Sequence, residues 1–181
     1  GGDGSASDPY QISTVDDLQN MSADLSAHYI LIDDIEAGET STWNSGEGFI
    51  PVGDDIDRFQ GTLEGQGFTV FDLFVELPIN NVGLFGCLGS SASVTDLALE
   101  NASVTGVSRV GPLAGESYGT ITHCSCSGNV HGDGSNIGGL VGWNHGTVEE
   151  SCSFATVYAG SSNVGGLIGF NEVGMVGNCS A

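Results

Sequence analysis

The 181-residue sequence predicts an all-β fold, a parallel β-helix whose successive stretches stack as coils, and two observations carry that prediction. The first is a repeat: NIGGLVGWNHGTVEESC (136–152) returns as NVGGLIGFNEVGMVGNC (163–179), so that Asn136, Gly138, Gly139, Leu140, Gly142, Asn144 and Cys152 recur 27 positions on as Asn163, Gly165, Gly166, Leu167, Gly169, Asn171 and Cys179. A fainter copy, Val110, Gly111, Leu113 and Gly115, precedes Ile137, Gly138, Leu140 and Gly142 by the same interval. Repeats of this length are single supersecondary units that bury their apolar faces only by stacking. The second observation is local: β-branched residues such as Ile137, Val141, Val148 and Val157 come in short runs punctuated by Gly, Asn and Ser, the pattern of strands and tight turns. One coil of short strands fits 27 residues, with neighbouring coils about 4.8 Å apart. The 30 glycines serve corners and close backbone approach.

Taken in order, residues 1–8 form a Gly/Ser/Asp lead-in, read as a linker from something upstream. Ser13 or Thr14 caps a short helix with Asp16 and Asp17 in its first turn, and Leu18, Met21 and Leu25 give it an apolar stripe. Its expected task is to cover the N-terminal end of the coil, because an open end exposes unpaired backbone groups. Residues 29–35, 49–52 and 68–75 read as strands, Glu64 to Gly67 as a turn, and 38–48 as a polar loop whose Trp43 packs back. Residues 9–80 thus hold the cap and irregular first coils, and 81–181 the regular coils of one continuous domain. Leu97 and Leu99 share a strand face. The chain ends partway through a repeat at Ala181, so further coils or another chain are expected to cover that edge.

GGLVGWN and GGLIGFN resemble the GLUG motif of large bacterial and archaeal surface proteins. The similarity extends through DPYQISTVDDLQNM, HYILIDDIEAG, Trp43, FIPVGD, FQGTLEGQGFTVFDLFV and NVGLFG, and so covers nearly all the chain. It implies a right-handed β-helix on an exported, adhesin-like or cell-envelope protein, and no catalytic mechanism.

Composition limits the function classes. There are 23 acidic residues against two arginines, Arg58 and Arg109, and no lysine, a formal net charge of −21. Nucleic acid and anionic lipid need a basic patch, so neither is an expected partner. Carboxylate repulsion destabilises such a fold in dilute buffer, and at about 1 M salt the Debye length shrinks to about 3 Å. A halophilic, archaeal source suits this balance; an acidic surface that binds divalent cations is the alternative. No apolar run reaches the roughly 18 residues of a membrane span.

Candidate sites are few. Asp54, Asp55 and Asp57 beside Gly53 are the weak candidates for Ca²⁺, a hard cation that prefers oxygen ligands. Asp33 with Asp34 and Glu149 with Glu150 point to opposite strand faces and make poor acid–base pairs. His123, Cys124, Cys126 and His131 are zinc-type ligands, but Cys-x-Cys lacks the paired Cys-x₂-Cys spacing. The cysteines are read as structural: Cys152 stacks on Cys179 as a disulfide or a thiol ladder, Cys124 joins the column if a bulge corrects its facing, and Cys126 is grouped with them. Asn20, Asn101 and Asn178 head N-glycosylation sequons, with Asn101 the first choice.

These readings lead to a non-enzymatic extracellular module for cell-surface adhesion or for building an envelope or filament. Its partners are other copies or neighbouring envelope proteins at the coil ends, and surface glycans. The alternatives are the receptor-binding fibre of a virus and a carbohydrate-active enzyme. The latter needs two carboxylates spaced across a cleft, which the sequence does not identify.

Overall fold

The computed structural model describes residues 1–181. Its strands wind into a parallel β-solenoid with three faces. The first face carries seven strands: Tyr10–Ile12, His28–Leu31, Thr62–Glu64, Ser93–Thr95, Thr120–Thr122, Thr147–Glu149 and Met175–Gly177. The second holds Ile35–Glu36, Thr69–Phe71, Phe74–Glu76, Ala98–Gly106, Ser125–Gly132 and Cys152–Ala159. Four strands, Phe85–Leu88, Ala114–Ser117, Val141–Asn144 and Ile168–Asn171, build the third. Every pairing within the three faces is parallel, as expected when each strand meets its counterpart one turn later.

Stacking turns the sequence repeat into columns. On the first face Tyr29, Leu63, Val94, Ile121, Val148 and Val176 stand in register, and all but the last are buried. Leu140 N–H donates to the Leu167 carbonyl at 2.8 Å, and Val141 pairs with Ile168, so the repeated motifs lie directly on one another. The faint third copy belongs to the same columns: Val110 bridges Ile137 and Ala114 pairs with Val141. A run of aromatic neighbours, Tyr10, Tyr29, Phe59 and Phe85, leads from the N-terminal end into the core.

Two corners repeat as well. Asn81, Arg109, Asn136 and Asn163 all take left-handed φ near +60°, as do Asp96, His123, Glu150 and Asn178. Asparagine tolerates that region better than most residues because its amide bonds locally. Asn163 donates to Asn136 across one corner at 2.8 Å, and Asn144 donates to Asn171 beside the third face at the same distance. Gly142 must be glycine: a Cβ there would lie 2.5 Å from the Val110 nitrogen.

The helix α1 (Val15–Asn20) closes the N-terminal end. Thr14 accepts from Asp17 N–H, and the Asp17 carboxylate accepts from Thr14 N–H, each at 3.1 Å, a reciprocal cap. Leu18 and Met21 are fully buried. The Gln19 amide exchanges two 2.9 Å hydrogen bonds with the Ile50 backbone, a brace that no sequence pattern announces.

Four expectations change in detail. The strand over 29–35 splits at Ile32, and the one over 68–75 splits at Asp72, which adopts φ +58°. Residues 49–52 contribute only the Val52 bridge to Phe85. The polar loop contains 3₁₀ turns over Gly38–Gly46, with Trp43 packed on the core as expected.

The cysteine column is a further correction. All five cysteines are free, and Cys152 pairs with Ser125 on one side and Ser180 on the other, not with Cys179. The last coil carries one extra residue after Asn171, so Val148 meets Val176, 28 positions on. That shift places Cys179 in line with Ser151, which in turn lies over Cys124 and receives the Cys124 N–H at 3.1 Å.

Candidate functional site

The third face carries a column that departs from the apolar rule. Cys87, Glu116, Trp143 and Phe170 are successive partners across its four strands, and none belongs to the central core cluster. Cys87 and Glu116 are buried because the 53–58 segment, held by the Val52–Phe85 and Phe59–Leu88 bridges, flanks this side of the sheet. One residue beyond each strand end, Tyr118, His145 and Glu172 form a second column.

Around Glu116 the chain gathers its scarce cations. The carboxylate accepts from Tyr118 O–H at 2.7 Å, meets His145 Nε2 at 3.2 Å and lies 3.8 Å from an Arg109 nitrogen. A second Arg109 nitrogen is 3.8 Å from Asp55, whose other oxygen accepts a short hydrogen bond from Asn81. His145 Nδ1 lies 3.2 Å from Glu172 one coil on, so its ring is flanked by carboxylates. Aromatic contacts fill the rest: Tyr118 and His145 stack at 4.3 Å with planes 2° apart, Trp143 lies 4.6 Å from His145 and 5.9 Å from Phe170. The Arg58 guanidinium sits 4.2 Å over the Tyr118 ring, and that of Arg109 5.7 Å from Trp143.

Arg109 occupies a corner where the coils before and after place asparagine. Substituting arginine there interrupts the asparagine ladder, and Asn81 Oδ1 is left buried without a partner. The compensation is electrostatic, since a buried carboxylate without a nearby cation is costly.

The protonation pattern argues against nucleophilic chemistry. Burial first, then the Glu116 charge, pushes the Cys87 thiol up to about 12, so it stays protonated near neutrality. Burial and the hydrogen bond to Glu116 likewise raise the Tyr118 phenol. Asp55, Cys87 and Glu116 bring three potential metal-ligand atoms within 4.8 Å of one another, yet Arg109 already lies against both carboxylates and supplies the positive charge an ion would bring. The same guanidinium lies between the carboxylates of Asp55 and Glu116, and Glu116 is buried, so these two do not form a dyad facing each other across an open cleft.

The residues singled out in the sequence are dispersed. Asp54 accepts from the Ile56 and Asp57 amides of its own turn, Asp55 turns to Asn81 and Arg109, and the Asp57 carboxylate joins neither set. They border, with Ile50, Ile56 and Ile79, an open hollow of about 560 Å³. His123 lies outside, between Asp96 and Glu150, while Cys124 and Cys126 point into the core, so the zinc-type set does not converge. Burial pushes Cys124 up to about 12 and Cys126 well above the usual thiol range. Asn20 and Asn178 are exposed; Asn101 is exposed too, at a left-handed bulge, with its amide nitrogen donating to Asp72 at 2.5 Å.

Sequence reasoning missed Glu116, Tyr118 and His145, and used the arginines only in a charge count. The available signal was misalignment: set against Asn136 and Asn163, Arg109 is the odd corner, and against Trp143 and Phe170, Glu116 is the odd strand residue.

No family model matches the chain. It is 40% identical over 139 residues, 73% of its length, to Halomucin of Haloquadratum walsbyi, and 33% identical over 132 residues, 69% of its length, to a protein of Evansella cellulosilytica provisionally named a Gly-rich membrane protein. The chain spans only 2% and 15% of those two proteins. Among solved structures it superposes, with a TM-score of 0.70 and 17% identity, on a Bacteroides ovatus protein provisionally named an immunoglobulin A1 protease, covering 98% of this chain and 76% of that one. At that identity the likeness concerns the fold alone.

Proposed function

We propose that this chain is a non-enzymatic β-solenoid module of a cell-surface or extracellular protein, serving adhesion or the building of an envelope or filament in a high-salt setting. One observation carries the reading: its similarity is to short stretches of proteins many times longer, named for a mucin-like and a membrane role. That is the pattern of a module, and a stacked coil suits it because a rigid rod displays loops at fixed spacing. The charge of −21 without lysine supports the high-salt setting. The buried carboxylate of the polar cluster is compensated from within the chain, Arg109 lying 3.8 Å from both Asp55 and Glu116.

Interactions in this reading are end-on and lateral. The coil that begins at Asn163 exposes Val173, Met175 and Val176, and this end of the rod takes other copies or neighbouring envelope proteins. Outer loops meet surface glycans, and Asn20, Asn101 and Asn178 become glycan acceptors on export. Asn20 and Asn178 lead, because the Asn101 amide is engaged by Asp72. Shaving intact source cells with an impermeant protease tests the placement. Loss of the chain's peptides while cytosolic proteins persist is the expected result, and protection until lysis overturns it. Intact-mass analysis of the same material reads sequon occupancy.

A further inference from the structure

We propose that Arg58 is the contact point for a carboxylate-bearing ligand, held ready on the Tyr118–His145 stack. The chain has 23 carboxylate side chains and two guanidinium groups, so every cation is expected to be paired. Arg109 follows that expectation, lying 3.8 Å from both Asp55 and Glu116. Arg58 does not: no carboxylate comes within 4.0 Å of it, and its side chain donates no hydrogen bond to the protein. It lies 4.2 Å over the face of Tyr118 instead.

The platform beneath it is built from separate coils. Tyr118 is fixed by its hydroxyl to the buried Glu116 and by its amide to the Leu88 carbonyl, and its ring is parallel to His145 of the next coil. At its own base Arg58 is anchored by the fully buried Phe59, whose amide donates to Cys87 at 3.0 Å. A guanidinium held over the face of a ring spends its charge there and none of its N–H donors, which stay in its own plane. The unused donors therefore form a planar fork, which matches the two oxygens of a carboxylate. Holding the fork still removes part of the entropy that binding costs.

A singly charged ligand is favoured over phosphate or sulfate. The molecule's own −21 repels anions, and more strongly at higher charge. In about 1 M salt that repulsion is screened beyond roughly 3 Å, while the contact pair survives. The acidic sequence alone argues against acidic sugars for want of cations; the fold answers by concentrating both cations on one face. Uronic sugars and acidic amino-acid side chains share the chemistry.

The test is a titration of the intact chain in about 1 M sodium chloride, followed by tryptophan fluorescence and by NMR, with glucuronate, its methyl ester and N-acetylglutamate as probes. Saturable binding of a carboxylate probe is expected, with none by the ester. Stronger binding of glucuronate assigns a sugar acid, stronger binding of N-acetylglutamate assigns an acidic side chain, and equal binding assigns the carboxylate alone. Arg58→Gln is expected to abolish the response with circular dichroism unchanged. Arg58→Lys, which keeps the charge but loses the fork, is expected to weaken binding about tenfold. Absence of saturable binding by either carboxylate, or equal binding by Arg58→Gln, overturns the proposal.

Discussion

The coil that begins at Asn136 and the coil that begins at Asn163 are near copies in sequence and differ in environment. Ile137, Leu140 and Val148 are fully buried, whereas Val164 and Val176 are about half exposed, at 49% and 46%, and Leu167 is only partly covered. Composition cannot explain this, because the motif residues are shared. What differs is the number of neighbours: the earlier coil is sandwiched, the later one is covered on one side. Burial in a stacked fold is conferred by adjacency, so one side chain is core in one copy and rim in the next.

The largest effect expected from this contrast is alkaline. Cys124 sits inside the sandwiched coils, with Ser151 in the same column one coil on. Its folded pKa of about 12 lies above the ordinary 9.0, so the fold favours the protonated thiol. That stability is full below pH 9 and is lost as pH climbs towards 12, by about 1.4 kcal/mol per pH unit. Cys126 adds in the same direction. Cys124→Ser, copying the next coil, should flatten the decline measured by denaturant titration across that window. An unchanged slope would assign the alkaline loss to other groups.

Truncation of the paired leucines is next. Leu140→Ala should cost about 2–5 kcal/mol and Leu167→Ala roughly 1, in denaturant melts run in concentrated salt. Equal costs would mean that the edge coil is covered in solution, and concentration dependence would identify the cover as another copy.

Smaller is the test of the odd corner. Arg109→Ala takes the guanidinium from the buried Glu116, leaving it Tyr118 and His145, and is expected to destabilise by about 2 kcal/mol. Combining Arg109→Asn with Glu116→Leu should recover most of that, because it restores the pattern of the other coils. A double variant no better than the single would show that Arg109 acts through Asp55 and the 53–58 segment. At the opposite end of the rod, Thr14→Ala removes one half of the reciprocal cap and should cost about 1 kcal/mol.

Self-similarity made the architecture legible. Leu140 over Leu167 and the buried glycine corners follow from the repeat, and the cap at Thr14 follows from its carboxylate partner three residues on. The same reasoning failed where the copies differ. A single inserted residue after Asn171 moved Cys179 out of line with Cys152, since strand pairing restores register by absorbing the excess in a turn. The site was hidden for a related reason: Arg58, the Glu116–Tyr118 pair and His145 come from three separate coils, and none sits at a position that the repeat shares between its copies. Only winding the chain brings them together.

The columns also have a hereditary consequence. Because Val94, Ile121 and Val148 each meet an equivalent residue above and below, removing or duplicating one whole period leaves matching surfaces to rejoin. Slippage of the DNA by one period would therefore change the reach of the rod without creating an unfamiliar junction. A period containing Arg109 and Glu116 is the exception: copied, it would set a second buried acid beside the first, so among the regular coils length can drift except across the charged turn.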